Sequence, residues 1–187
     1  MAVTVSELKS QLNISLLNTS FDNKLSKDIN AATNLVEKYT NRKLLTQTVT
    51  EYFDGFPDTD RFNLPYGNLS SITSVNYKDT SGSWTELSST YYSAETEEEP
   101  GKVVLNDGYS WPTTTLHPSK PIKVVYVCGY GASNSDVPQA IRSAILLIAA
   151  DLFENRELRI TGLPSQRLQT DAILLSNYIL HGGYDHK

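Results

Sequence analysis

The sequence predicts an α+β fold, helical at both ends and stranded in the middle. Three observations carry this. The hydrophobic period is helical up to about residue 40, alternates through the middle, and is helical again after Asp136. Six of the eight prolines, at positions 57, 65, 100, 112, 118 and 121, fall in the middle segment and break any helix there. The strand-like runs also follow one another too closely for the helical crossovers of parallel pairing, so the sheet is expected to be antiparallel.

Taken in chain order, Thr4 stands three residues before Glu7, the spacing of a capping box, and Leu8 and Leu12 follow four apart. A short helix is predicted there, ending near Asn13. A second is predicted from Asp22 to Thr40, with Leu25, Ile29, Ala32, Val36 and Tyr39 as its apolar stripe and Lys24, Lys27 and Lys38 opposite. Runs rich in Thr, Val and aromatics predict strands at Thr46 to Phe53, Ile72 to Lys78, Tyr91 to Ala94, Lys102 to Leu105 and Ile122 to Cys128. Asp79 to Ser83, containing Gly82, reads as a hairpin loop joining Lys78 to a strand over Trp84 to Leu87. Asp136 is the expected cap of a helix whose first turn tolerates Pro138 and whose face is built from Ala140, Ile141, Ala144, Ile145, Ile148, Leu152 and Phe153. A last helix is predicted from about Gln166 to Leu180, with Leu168, Ala172, Leu175 and Ile179 on one stripe and Gly182 and Gly183 beyond it.

Sixteen Lys and Arg face twenty-one Asp and Glu, a net charge of −5, which argues against a protein that coats nucleic acid. The charge is uneven. Residues 1–46 carry six basic and four acidic groups, residues 47–135 five and eleven, and residues 136–187 five and six. The run Glu95, Glu97, Glu98 and Glu99 is the densest acidic stretch and reads as a solvated loop rather than a cation site. The longest apolar stretch, Ala144 to Ala150, falls far short of the ~20 residues of a membrane span. Met1 to Leu12 lacks the pattern of a secretory signal, so none is expected. Cys128, the single cysteine, rules out an internal disulfide and points to a reducing compartment.

A search for chemistry finds little. There is no nucleophile elbow, and Gly129-Tyr130-Gly131-Ala132-Ser133 lacks the Lys-Ser/Thr pair of a phosphate loop, so it reads as a loop leaving the sheet. His117, His181 and His186 share no ligand spacing, and Cys128 reads as a small buried residue rather than a nucleophile. No catalytic, cofactor-binding or metal-binding residue is assigned. Tyr52, Tyr77, Tyr91, Tyr92 and Tyr126 lack interleaved Lys and Arg in sequence, so they are assigned to sheet packing or a subunit interface rather than base stacking.

Ordered blocks along the chain resemble the phage head–tail connector (adaptor) proteins. The first are Val3-Thr4-Val5-Ser6-Glu7-Leu8-Lys9, Ala31-Ala32 with Val36-Glu37-Lys38-Tyr39-Thr40-Asn41-Arg42, and Leu45-Thr46-Gln47-Thr48-Val49. Ile72 to Asp79 with Gly82, Trp111-Pro112, Val124 to Gly131, Val137-Pro138, Ala140-Ile141 and Asp151 to Glu157 follow in order, while residues after about Leu158 match least. The resemblance implies a virion structural protein of the neck, assembled in the host cytoplasm. Its expected fold is a small α-helical bundle formed by residues 1–46 and 136–187, the latter including a portal-contacting tail, with residues 47–135 as a central antiparallel β insertion. The resemblance implies that the helices pack against neighbouring subunits and that the β part faces the tail-side proteins or the outside. It implies a ring of twelve copies under the portal, continuing the DNA channel without sequence-specific binding, with stopper or other tail-side neck proteins below. Arg142, Arg156, Arg159, Leu163, Arg167, Tyr178, Tyr184 and Lys187 are the ring or portal contacts it implies. Alternatives are another neck ring protein, such as a stopper or tail-completion protein, a small enzyme built on the acidic insertion, or a carbohydrate-binding β module using Trp84 or Trp111.

Overall fold

The computed structural model describes residues 1–155 and 173–180. It contains helices and antiparallel sheets, the α+β class read from the sequence. The described residues divide into two compact units, one formed by residues 1–45, 130–155 and 173–179, the other by residues 46–129 with Leu180.

The first unit is built on α1 (Val5–Gln11), α2 (Asp22–Thr40) and α3 (Gln139–Glu154). Thr4 caps α1 as its spacing predicts: its hydroxyl accepts from the Glu7 amide at 3.2 Å, and a Glu7 carboxylate oxygen accepts from the Thr4 amide at 2.6 Å. Val3 and Leu8, the two positions of a hydrophobic staple, are both fully buried in one cluster. Leu25, Ile29, Ala32 and Val36 of α2 join that cluster with Ile141, Ala144, Ile145 and Ala149 of α3.

The end of the α2 stripe departs from the prediction. Tyr39 is exposed, and Thr40 takes the buried place after Val36. Positions three and four residues on are both near neighbours on a helix. Thr40 satisfies its hydroxyl at once by donating to the Val36 carbonyl at 2.8 Å, so it enters the core without an orphaned polar atom. Asn41 then ends the helix in the left-handed conformation that Asn tolerates, with φ 54°.

A second departure concerns the start of α3. Its N-cap is Pro138, and Asp136 does not cap it. Val137, restricted by the following proline, is extended, which separates Asp136 from the helix. The Asp136 carboxylate instead accepts from the Ser133 amide at 2.8 Å and closes a 3-10 turn over Asn134–Asp136. A Cβ at Gly131 would lie 2.5 Å from the Asp136 Cβ, so the glycine lets this turn fold back on the chain. Only the end of the predicted last helix is described: residues 173–175 are helical, Ser176–Tyr178 is a 3-10 turn and Ile179 is extended.

The second unit contains two antiparallel sheets. One runs in the order β1 (Gln47–Phe53), β7 (Ile122–Cys128), β3 (Leu69–Lys78), β4 (Trp84–Leu87), and the other β2 (Arg61–Asn63), β6 (Lys102–Leu105), β5 (Tyr92–Glu95). The strand β2 and the division into two sheets are not visible in the alternation of the sequence, because three residues are too few to show a period. Strand β7 is central. Ile122, Val124, Tyr126 and Cys128 on one side of it are fully buried with Val75, Leu64 and Val103, and its alternate residues face the other way. The predicted hairpin holds: Gly82, at φ 85°, supplies the turn between β3 and β4, and its amide donates to the Asp79 carbonyl at 3.0 Å.

Candidate assembly surfaces

Of the contact residues proposed from sequence, two are described. Arg142, in the first turn of α3, gives its guanidinium to Glu7 of α1 in an ion pair, with the two side chains 19% and 30% exposed. Burial alone would raise the Glu7 pKa, but hydrogen bonds from the Thr4 backbone and hydroxyl, together with Arg142, hold the carboxyl below its ordinary range. Tyr178 packs on the helical core, and its carbonyl accepts from the Arg42 Nε at 2.6 Å. Arg156, Arg159, Leu163, Arg167, Tyr184 and Lys187 lie outside the described residues.

The sequence blocks have packing explanations in the first unit. Arg42, at the end of the Val36 block, is 6% exposed and ties Tyr178 in place. Phe153, in the Asp151 block, meets the Phe21 ring edge-on at 5.6 Å and lies beneath the Lys24 ammonium at 4.8 Å. Lys9 is buried and pairs with Asp22 at 2.6 Å, bracing the loop between α1 and α2.

That loop presents the side chains of Leu16 and Leu17, 59% and 92% exposed, while the Leu16 carbonyl accepts from the Lys9 ammonium at 3.3 Å. On α2, Lys27, Ala31, Leu35 and Tyr39 recur every four residues on the exposed face, a mixed apolar and basic ridge. Surfaces of this kind serve contacts between chains more readily than a reaction, which needs a cleft.

In the second unit the outer face of the larger sheet carries a cation–aromatic patch. Tyr52 of β1 lies opposite Lys123 of β7, and Lys78 of β3 opposite Trp84 of β4. Trp84 lays its ring back across the sheet, 4.8 Å from the Lys123 ammonium, 5.3 Å from that of Lys78 and 6.3 Å from the Tyr52 ring. Trp84 and Tyr52 are 41% and 45% exposed. The sequence reading set these aromatics apart from the lysines. The Lys78–Trp84 pairing was available from the hairpin register, but the approach of Lys123 to Tyr52 depends on β7 returning beside β1 after about 70 intervening residues.

Other aromatics are spent internally. Tyr126 is fully buried and Tyr92 nearly so. Trp111 stacks on Phe56 at 5.0 Å and donates its indole N–H to the Thr59 carbonyl at 2.8 Å, walling a cleft of about 460 Å³ together with Tyr77, Tyr91 and Pro112. Cys128 is buried in the sheet. The acidic run is partly satisfied: Glu98 pairs with Lys102, which holds its carboxyl below the ordinary range, and Glu99 accepts from the Asn68 amide at 3.2 Å. Among the described residues no three His, Cys, Asp or Glu are grouped so as to hold a metal ion, and no helix is long and apolar enough to cross a membrane.

Residues 3–160 match the family model described as head completion protein. No curated protein matches the chain. Among solved structures, it is similar to a chain in the neck of an empty gene transfer agent particle computed with C6 symmetry, at 18% identity and a TM-score of 0.78, covering all of this chain and 94% of that one. It is also similar to one in the neck of the native particle computed with C12 symmetry, at 18% identity and a TM-score of 0.77, covering all of this chain and 93% of that one. A chain in the virion of the native particle is similar at 19% identity and a TM-score of 0.75, covering all of this chain and 94% of that one.

Proposed function

The chain belongs to the head completion protein family, and from that premise we propose that it is a structural protein of the virion neck, an adaptor. In this reading copies form a ring beneath the portal, extend the DNA channel and join head to tail, with stopper or other tail-side neck proteins as the next partners. The observation that carries it is the likeness of fold over the whole chain to chains from particle necks, one of them computed with C12 symmetry.

The physical demands of such a position agree with the surfaces described. A ring repeats one contact many times, so a modest interface becomes a stable collar once a template supplies the first copies. Exposed Leu16 and Leu17 and the α2 ridge are surfaces of that modest kind. The net negative charge suits a conduit: Lys and Arg set against phosphates would hold DNA in a strong, salt-dependent grip and hinder its passage.

Quantitative mass spectrometry of gradient-purified particles, with labelled peptides from this chain and from the portal, tests the proposal. A copy number near that of the portal is expected. Absence from particles rejects the structural reading.

A further inference from the structure

The patch of Tyr52, Lys78, Trp84 and Lys123 is the most built of the exposed surfaces, because its parts come from four strands and hold one another. Two ammonium groups lie within about cation–π range of one indole. Neither Lys78 nor Lys123 meets a carboxylate at ion-pair distance among the described residues. Glu86 is the acidic side chain of the same sheet face, one register position beyond Asn76 from Lys123. The patch therefore offers two unpaired positive charges on a flat apolar ring, a surface suited to carboxylates.

The same chain carries the complement. Glu95 and Glu97 border a shallow cleft of about 310 Å³ with Ser93, Ala94, Thr96 and Val104. Unlike Glu98 and Glu99, which are engaged within the unit, they form no ion pair at bonding distance among the described residues; Lys102, opposite Glu95 in the register, gives its ammonium to Glu98. A head-to-tail contact between identical copies requires two different, complementary surfaces on one chain, and repeating it generates a ring when the rotation closes.

We propose that neighbouring copies join through their β units, the Lys78–Trp84–Lys123 patch of one copy seated on the Glu95–Glu97 cleft of the next. The inference rests on the ring reading above and adds one contact between neighbouring copies to those the helical surfaces would make. A nucleic acid is the less suited occupant: two lysines make few phosphate contacts and a polyanion would leave the Glu95–Glu97 cleft without a partner, whereas a second copy matches both surfaces at once.

The test uses particles assembled from a mixture of unlabelled and ¹⁵N-labelled full-length chain, treated with a zero-length carbodiimide cross-linker. Mass spectrometry is expected to find peptides joining Lys78 or Lys123 to Glu95 or Glu97 with one label on each side, which arise only between copies. In parallel, Lys78→Glu with Lys123→Glu, or Glu95→Lys with Glu97→Lys, is expected to lower particle yield about tenfold or more by setting like charges against each other, and combining all four is expected to restore it. The lysine changes also remove two cation–π contacts to Trp84, so that variant is expected to melt about 2 to 8 °C below the parent while the glutamate changes stay within about 2 °C, and yields are compared at a temperature at which every variant is folded. If the chain is present in particles but mixed-label cross-links are absent, or the fourfold exchange fails to restore yield, the contact is overturned while the neck reading stands. Loss of DNA binding on the lysine changes with no rescue by the glutamate changes overturns it in favour of a polyanion. Absence of the chain from particles overturns the neck reading, and this inference with it.

Discussion

Replacing Glu7 tests how the helical unit is fastened at its start. One carboxylate accepts from the Thr4 amide at 2.6 Å and the Thr4 hydroxyl at 2.7 Å and also pairs with Arg142 of α3, more than 130 residues away. Glu7→Ala removes both the capping box and the ion pair. The charge-assisted hydrogen bonds at the cap are worth about 1 to 2 kcal/mol. The pair adds about 1 kcal/mol, because both side chains are largely covered and Arg142 is left partly buried without its carboxylate. The expected total is about 2 to 3 kcal/mol. Arg142→Met, which keeps the packing of the aliphatic stem, should cost about 1 to 2 kcal/mol. The double variant should fall short of additivity by about 1 kcal/mol, the coupling expected of a contacting pair. Urea unfolding followed by circular dichroism at 222 nm reports on the helices. Both tryptophans lie in the β unit, so their fluorescence reports on that unit separately. Additive losses, or a Glu7→Ala cost below about 0.5 kcal/mol, would refute the claim that this carboxylate ties α1 to α3.

The same group predicts a pH dependence. Because the folded Glu7 pKa lies below its ordinary value of 4.5, its stabilisation is present above that value and is lost as pH falls through the lower folded value. Stability should therefore decline below about pH 4.5, less steeply in Glu7→Gln, as measured by urea midpoints across the acid range. Ile145→Ala, in the fully buried α2–α3 core, should cost about 2 to 5 kcal/mol by circular dichroism. Gly131→Ala places a methyl group against the Asp136 side chain and should cost about 1 to 3 kcal/mol in the same assay. Trp84→Phe should leave stability within about 0.5 kcal/mol while removing the more quenchable fluorescence, since acrylamide reaches Trp84 more readily than the stacked Trp111; unchanged quenching would place Trp84 under cover.

What could be read in the sequence was whatever depends on near neighbours. The Thr4–Glu7 box, the α2 stripe as far as Val36, the 79–83 hairpin and the alternation of β7 all rest on contacts within a few residues, and the structure contains each of them. Errors lay where two local choices are nearly equal. Tyr39 and Thr40 are both neighbours of Val36, and a hydrogen bond to the preceding turn decided for Thr40. Asp136 can cap either a tight turn or the helix beyond it, and the extended Val137 decided for the turn. The surfaces were least legible. Arg142 is occupied within its own unit by Glu7, which no spacing indicates across so long a separation. The cation–aromatic patch escaped notice because Tyr52, Lys78, Trp84 and Lys123 are scattered in sequence.

By itself, then, the sequence determined the class of the fold, most of its elements, and a resemblance carried by the order of short blocks. Hydrogen bonding and side-chain periodicity act over three or four residues and leave their mark locally. Tertiary structure decided the rest: that β7 enters between β1 and β3, that the strands form two sheets, and that Lys78 and Lys123 meet at one indole. Those outcomes depend on pairing between distant segments, whose free energy is shared among many weak contacts and is written at no single position.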